Sequence, residues 1–187
     1  NATVIALGGG GSGTVDTTSG TALFLDPLST DLTFGTVSST NSATTGVTFD
    51  GVTGIGAGSN AVSIATLTIT GAAGAGVLVS DSSGNFSLGN ATISGGSGIG
   101  ISIVGGSADL GFGAGSSLNQ AANAAAVSVT GGHSGSLVYS GAITATNGTG
   151  LQFDNADGTD VNLDQLTLLL YMLPDLSVVF AQLESDR

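Results

Sequence analysis

The 187-residue chain has no cysteine, no tryptophan and no lysine, and it has only two prolines, one histidine, one methionine and one arginine, Arg187. Without cysteine there are no disulfides to staple the fold and no thiolates to bind zinc or act as nucleophiles, though this alone does not fix the compartment. Thirteen acids against one base give a formal charge of −12. Phosphate binding depends on Lys and Arg releasing counterions, so nucleic acid and acidic lipid are excluded as direct partners. Divalent cations and proteins with basic patches remain compatible with such a surface. No stretch of apolar residues is long enough to span a bilayer: the nearest, "LTLLLYMLPDLSVVF" from Leu166 to Phe180, is broken by Pro174 and Asp175, so membrane insertion is not expected. The chain opens at Asn1 with neither Met nor a signal peptide, which reads as a processed form or a fragment.

What the chain has in quantity is glycine, 33 residues, together with serine and threonine. Such composition often signals disorder, but 41% of residues are apolar and they recur in alternation, which is enough to offset chain entropy by burial. The alternation repeats. "ALFLD" (from Ala22), "GVTFD" (Gly46), "GVLVS" (Gly76), "GISIV" (Gly100), "AVSVT" (Ala126) and "GLQFD" (Gly150) share one pattern, and their starts are 24, 30, 24, 26 and 24 residues apart. A second column follows as "DLTFG" (Asp31), "AVSIA" (Ala61), "NFSLG" (Asn85), "DLGFG" (Asp109), "SLVYS" (Ser136) and "DVNLD" (Asp160). A weaker third column comes next: "TVSST" (Thr36), "TLTIT" (Thr66), "NATIS" (Asn90) and "GAITA" (Gly141). The six extra residues of the second repeat fall in "GVTGIGAGS", Gly51 to Ser59, a Gly/Ser loop between columns.

A fixed period of this size calls for a stacked architecture, and three short strands per repeat are too few for a separate sandwich or a βαβ unit. The expected fold is all-β: a right-handed parallel β-helix (solenoid) of about six coils, three short strands per coil, with apolar terminal segments. The solenoid is expected over 1–165, including an N-terminal capping strand, and a cap or docking tail over 166–187. In the first column, Leu23, Leu25, Val47, Phe49, Val77, Val79, Ile101, Ile103, Val127, Val129, Leu151 and Phe153 should form ladders in one core.

The segments "GTGLQFDNADGT" (Gly148 to Thr159) and "GSLVYSGAITATNGTG" (Gly135 to Gly150) resemble repeat units of right-handed β-helix regions in bacterial surface and secreted proteins, adhesin-like and autotransporter-passenger-like. The resemblance is clearest from Gly76 to Thr159. It implies a place outside the cell and a structural or adhesive role, and it brings no catalytic residues.

Enzyme chemistry finds little support. Asp26, Asp50 and Asp154 share a coil position, but Ser80, Val104 and Thr130 intervene, which leaves only Asp26 and Asp50 as neighbours and favours turn chemistry over an acid/base couple. His133, in "GGHSG", lacks a second metal ligand and reads as an exposed turn residue. No enzyme activity and no cofactor are expected. One metal reading stays open: Asp154, Asn155, Asp157 and Asp160 could offer oxygens to calcium. Counted from Asp154, however, the glycine falls at the fifth position and Gln165 at the twelfth, so an EF-hand loop is excluded and a stacked turn is favoured. Outward hydroxyls raise an ice-binding alternative: Thr66, Thr68 and Thr70 share a face, with Ser38, Thr40, Thr92, Ser94 and Ser116 near the same column. In the fifth coil the aligned positions read as Gly141, Ile143 and Ala145, where the pattern fades. Four N-x-[ST] sequons, at Asn1, Asn85, Asn90 and Asn147, match what this composition gives by chance.

The ends carry the assembly signal. Val4 and Leu7 belong to a short apolar strand before the Gly run. Leu166, Leu168, Leu170, Leu173, Leu176, Val179, Phe180 and Leu183 form an apolar tail, suited to capping its own core or docking on another subunit. The function expected from sequence is an extracellular or cell-surface structural protein, either a self-assembling fibre subunit or an adhesin segment, with itself or a host or cell-surface protein as partner. An ice-binding solenoid is the alternative, followed by a carbohydrate-active enzyme.

Overall fold

In a computed structural model of the chain, the described residues are 4–6, 13–56, 59–156 and 160–168, with side chains described between 13 and 156. Every regular element among them is a strand, and neighbouring coils pair in parallel. The chain is a parallel β-solenoid.

The first column forms a six-stranded sheet from Leu23–Leu25, Val47–Asp50, Val77–Ser80, Ile101–Val104, Val127–Thr130 and Leu151–Phe153. Its register follows the apolar pattern. Leu23, Val47, Val77, Ile101, Val127 and Leu151 make one ladder, and Leu25, Phe49, Val79, Ile103, Val129 and Phe153 make the next. A slip of one residue would turn every apolar side chain outward, so burial of these ladders fixes the register. From Val47 to Val129 the ladder residues are buried completely or nearly so. The ends differ: Leu25 and Leu151 are half-buried, and Phe153 is 42% exposed although it sits on the inward ladder. Among the described residues its rung has a neighbouring strand on one side only. The outward positions also depart from a simple wet face, since Thr48, Ser102 and Ser128 are only 5%, 8% and 5% exposed while Phe24 at the end rung is 67% exposed.

The second and third columns, expected as separate strands, are continuous in four coils: Ser29–Thr40, Asn60–Thr70, Ser136–Ala145 and Asp160–Leu168. They divide only in the third coil (Ser83–Ser87, Asn90–Ser94) and the fourth (Ser107–Phe112, Ser117–Gln120). Both columns therefore belong to one eleven-stranded sheet. Where the chain turns from one column to the next it packs backbone on backbone. A Cβ on Gly89 would collide with the Ala65 carbonyl, and one on Gly141 with the Ser116 carbonyl, so glycine permits the close approach. Inward residues of the second column, Leu32, Val62, Phe86, Leu110 and Leu137, with Phe34, Ile64, Leu88, Phe112 and Tyr139 beside them, complete the core. Phe49 and Phe86 join the two sheets with ring centroids 5.4 Å apart, and Phe112 and Tyr139 stack along the axis at 5.0 Å.

Corners are built from left-handed residues in file. Directly after the first-column strands stand Gly51, Asp81, Gly105, Gly131 and Asn155, with φ of 63°, 45°, 63°, 72° and 51°. After the third column stand Ser19, Asn41, Gly71 and Gly95, with φ of 65°, 54°, 73° and 68°. Asn and Asp tolerate this region better than other side-chain-bearing residues do, which is why they alternate with glycine here. In the fourth coil a side chain does the work: Gln120 Nε2 donates to the Gly98 and Ala125 carbonyls at 2.5 and 3.3 Å, and its Oε1 accepts from Ala122 N at 3.0 Å.

Ahead of Leu23, Val4–Ala6 pairs with Ser29–Asp31, and Gly13–Thr18 pairs along Phe34–Thr40. The chain thus adds a partial rung before the first full coil. In the second coil Thr53–Gly54 pairs with Ser29–Thr30, Ile55 is exposed, and the ladder resumes with Val62 opposite Leu32.

Candidate functional site

The acidic segment after Leu151–Phe153 is a corner of the solenoid. Asp154 N donates to Val129 O at 2.9 Å, Asn155 takes the left-handed conformation, and its carbonyl accepts from Gly132 N at 2.5 Å. Asp154 and Asn155 are exposed, Asp160 has its backbone opposite Ser136 at the start of the next strand, and Asp157 lies outside the described residues. Among the described residues no three His, Asp or Glu side chains come together as a metal site.

Asp26 and Asp50 follow the paired residues Leu25 and Phe49, as the repeat predicts, with Asp26 exposed and Asp50 half-exposed. His133 corrects the sequence reading: it is fully buried, not an exposed turn residue. Its Nδ1 lies 2.7 Å from the Gly105 carbonyl, which only accepts, so that nitrogen carries the hydrogen. Backbone bonds of the corner bring Ser134 onto Gly106 as they bring Ser107 onto Ser82. His133 therefore follows Ser82 and Gly106 in the corner file. A buried polar residue next to glycines was the available signal.

Two groups of hydroxyls stand out among the described residues. At corners they bind the chain to itself. Ser82 Oγ accepts from Val52 N at 3.0 Å and faces the Phe49 and Ser80 carbonyls at 3.2 and 2.9 Å. Ser116 Oγ accepts from Ala91 N at 2.9 Å and donates to Gly89 O at 3.0 Å. Ser116, expected near the outer Thr column, is therefore a buried corner clamp.

The second group lies on the outer face of the third column, where register corrects the sequence alignment. Ser117 pairs with Ala142 and Asn119 with Thr144. Ile143 and Ala145, expected outside, are buried. The outward positions in the fifth coil are thus Ala142 and Thr144, and the pattern does not end there. One file runs Asp16, Ser38, Thr68, Thr92, Ser117, Ala142; the other runs Thr18, Thr40, Thr70, Ser94, Asn119, Thr144. Gln165 and Thr167 hold the next register positions. Asp16 accepts from Ser38 Oγ. Thr40, Thr68, Thr70, Thr92, Ser94, Ser117, Asn119 and Thr144 make no side-chain hydrogen bond among the described residues.

Of the expected assembly residues, Val4 pairs opposite Ser29, while Leu166 and Leu168 pair opposite Ile143 and Ala145. Leu7, Leu170, Leu173, Leu176, Val179, Phe180 and Leu183 lie outside the described residues. Both ends of the six-stranded sheet, Leu23–Leu25 and Leu151–Phe153, have a strand on one side only among the described residues. No described helix is long and apolar enough to cross a membrane. Comparison of the chain with known protein-family models, with curated proteins and with solved structures gave no match.

Proposed function

We propose that this chain is an extracellular or cell-surface structural segment: a stiff β-solenoid that acts through its rigidity and polar faces, without catalysis. It extends by head-to-tail association with copies of itself, or serves as a segment of a surface adhesin that meets a host or cell-surface protein. The observation that carries the proposal is the six-rung first-column ladder, whose end strands each leave one pairing edge among the described residues and whose last inward residue, Phe153, is 42% exposed. Unpaired edges are where another strand adds, and a head-to-tail contact does not close, so it builds filaments. The formal charge of −12 opposes side-by-side aggregation of such rods. Any calcium binding at the corner after Phe153 is an addition to a turn that stands on its own backbone bonds.

Sedimentation velocity over a wide range of concentration tests the self-association. The proposal expects a series of larger species that grows with concentration. A single monomer boundary throughout rules out the filament and leaves only the adhesin segment.

A further inference from the structure

We propose that the outer face of the third column is an ice-binding surface, a reading independent of filament formation. Six described rungs from Asp16–Thr18 to Ala142–Thr144 present two files of outward residues, and eleven of the twelve positions, all but Ala142, carry a hydroxyl, an amide or a carboxylate on a short side chain. Strand pairing spaces the rungs by roughly 4.8 Å, and alternate residues along a strand lie about 6.6 Å apart. These two repeats define a rectangular grid close to the oxygen repeats of ice.

Three features distinguish this face from ordinary strand polarity. The first is continuity: no insertion interrupts its register, whereas the outer face of the first column runs Phe24, Thr48, Leu78, Ser102, Ser128, Gln152 with no common chemistry. The second is hydrogen-bond capacity, since the hydroxyls from Thr40 to Thr144 are left to solvent while those of Ser82 and Ser116 are spent on the corners. The third is low charge, with Asp16 at one end and no other ionisable side chain on these described rungs. Threonine suits the task because its methyl orders adjacent water and its hydroxyl fixes that water to the protein. A saccharide would call for aromatic stacking platforms, and a protein partner for apolar or aromatic anchors; neither is present on these files.

The test is partition into a slowly growing ice front, read together with thermal hysteresis. Wild-type protein is expected to enrich in the ice fraction and to shape ice crystals. Thr92→Tyr, at an exposed position in the middle of the face, breaks the plane and should lose most of that enrichment with its melting temperature unchanged. Ser87→Tyr, exposed on the second column, should keep it. Thr70→Tyr provides a second disrupted position should the first variant fold poorly. The proposal is overturned if wild-type protein is excluded from ice like an inert globular protein, or if folded Thr92→Tyr and Thr70→Tyr partition as wild type does.

Discussion

Gly98 and Gly111 look alike in the sequence and differ in what surrounds them. A Cβ on Gly98 would collide with the Gly74 carbonyl of the coil below, whereas one on Gly111 meets nothing within 4 Å. Gly98→Ala should therefore lower stability by about 1–3 kcal/mol, the usual penalty of overpacking. Gly111→Ala should be neutral or raise it by up to about 1 kcal/mol by restricting the unfolded chain. Urea denaturation of the two variants checks both signs. Tyr139 is a second case. Its ring is buried against Phe112 and its hydroxyl has no hydrogen-bond partner among the described residues; burial raises its pKa well above the ordinary phenol value, because the charged form is disfavoured there. In the window above about pH 10 the unfolded chain loses this proton while the folded chain keeps it. The unfolded state then binds fewer protons, so stability falls as pH rises, and it is fully present below that window. Tyr139→Phe should keep stability at neutral pH and flatten the alkaline decline, which thermal melts from pH 8 to 11 would show.

At the scale of strands and corners, the apolar ladders were readable from the sequence because period-two alternation recurred at a nearly constant spacing. Leu23 through Leu151 paired as the spacing implied, and so did the second column. The third column was misread by one residue in the fifth coil. Ala142 stands opposite Ser117, and where the pairing of this coil with the next shifts, between Tyr139 and Ala142, text alone gives no sign of which frame faces inward. A single-residue error exchanges faces, which is why Thr144 was missed and Ile143 placed outside. His133 escaped for another reason: its burial comes from its place in the corner file after Ser82 and Gly106, which the local sequence does not mark. Three predictions belong to this scale. Ile103→Ala, in the fully buried middle of the ladder, should cost about 2–5 kcal/mol, measured by denaturant unfolding. Deleting 55–59 should leave the fold intact, with a melting temperature close to wild type, because the ladder holds register on both sides of that loop and loop length contributes weakly to stability. The corner at Asn155 closes through backbone bonds, so calcium or a chelator is expected to leave the melting temperature unchanged; a shift of several degrees with calcium would instead establish an ion site at Asp154 and its neighbours.

The molecule as a whole joins a stacked axis to two kinds of surface. Rungs stacked at roughly 4.8 Å make six coils a rod of roughly 30 Å, with polar sides, a high negative charge and ladder ends that have no second neighbour among the described residues. In the proposed filament, length beyond one chain comes from stacking coil on coil. Salt should favour that step by screening the charge between subunits. Electron microscopy of the purified protein at increasing concentration tests this most directly. The account predicts unbranched filaments one solenoid wide that lengthen with concentration. Monodisperse short rods at every concentration would contradict it.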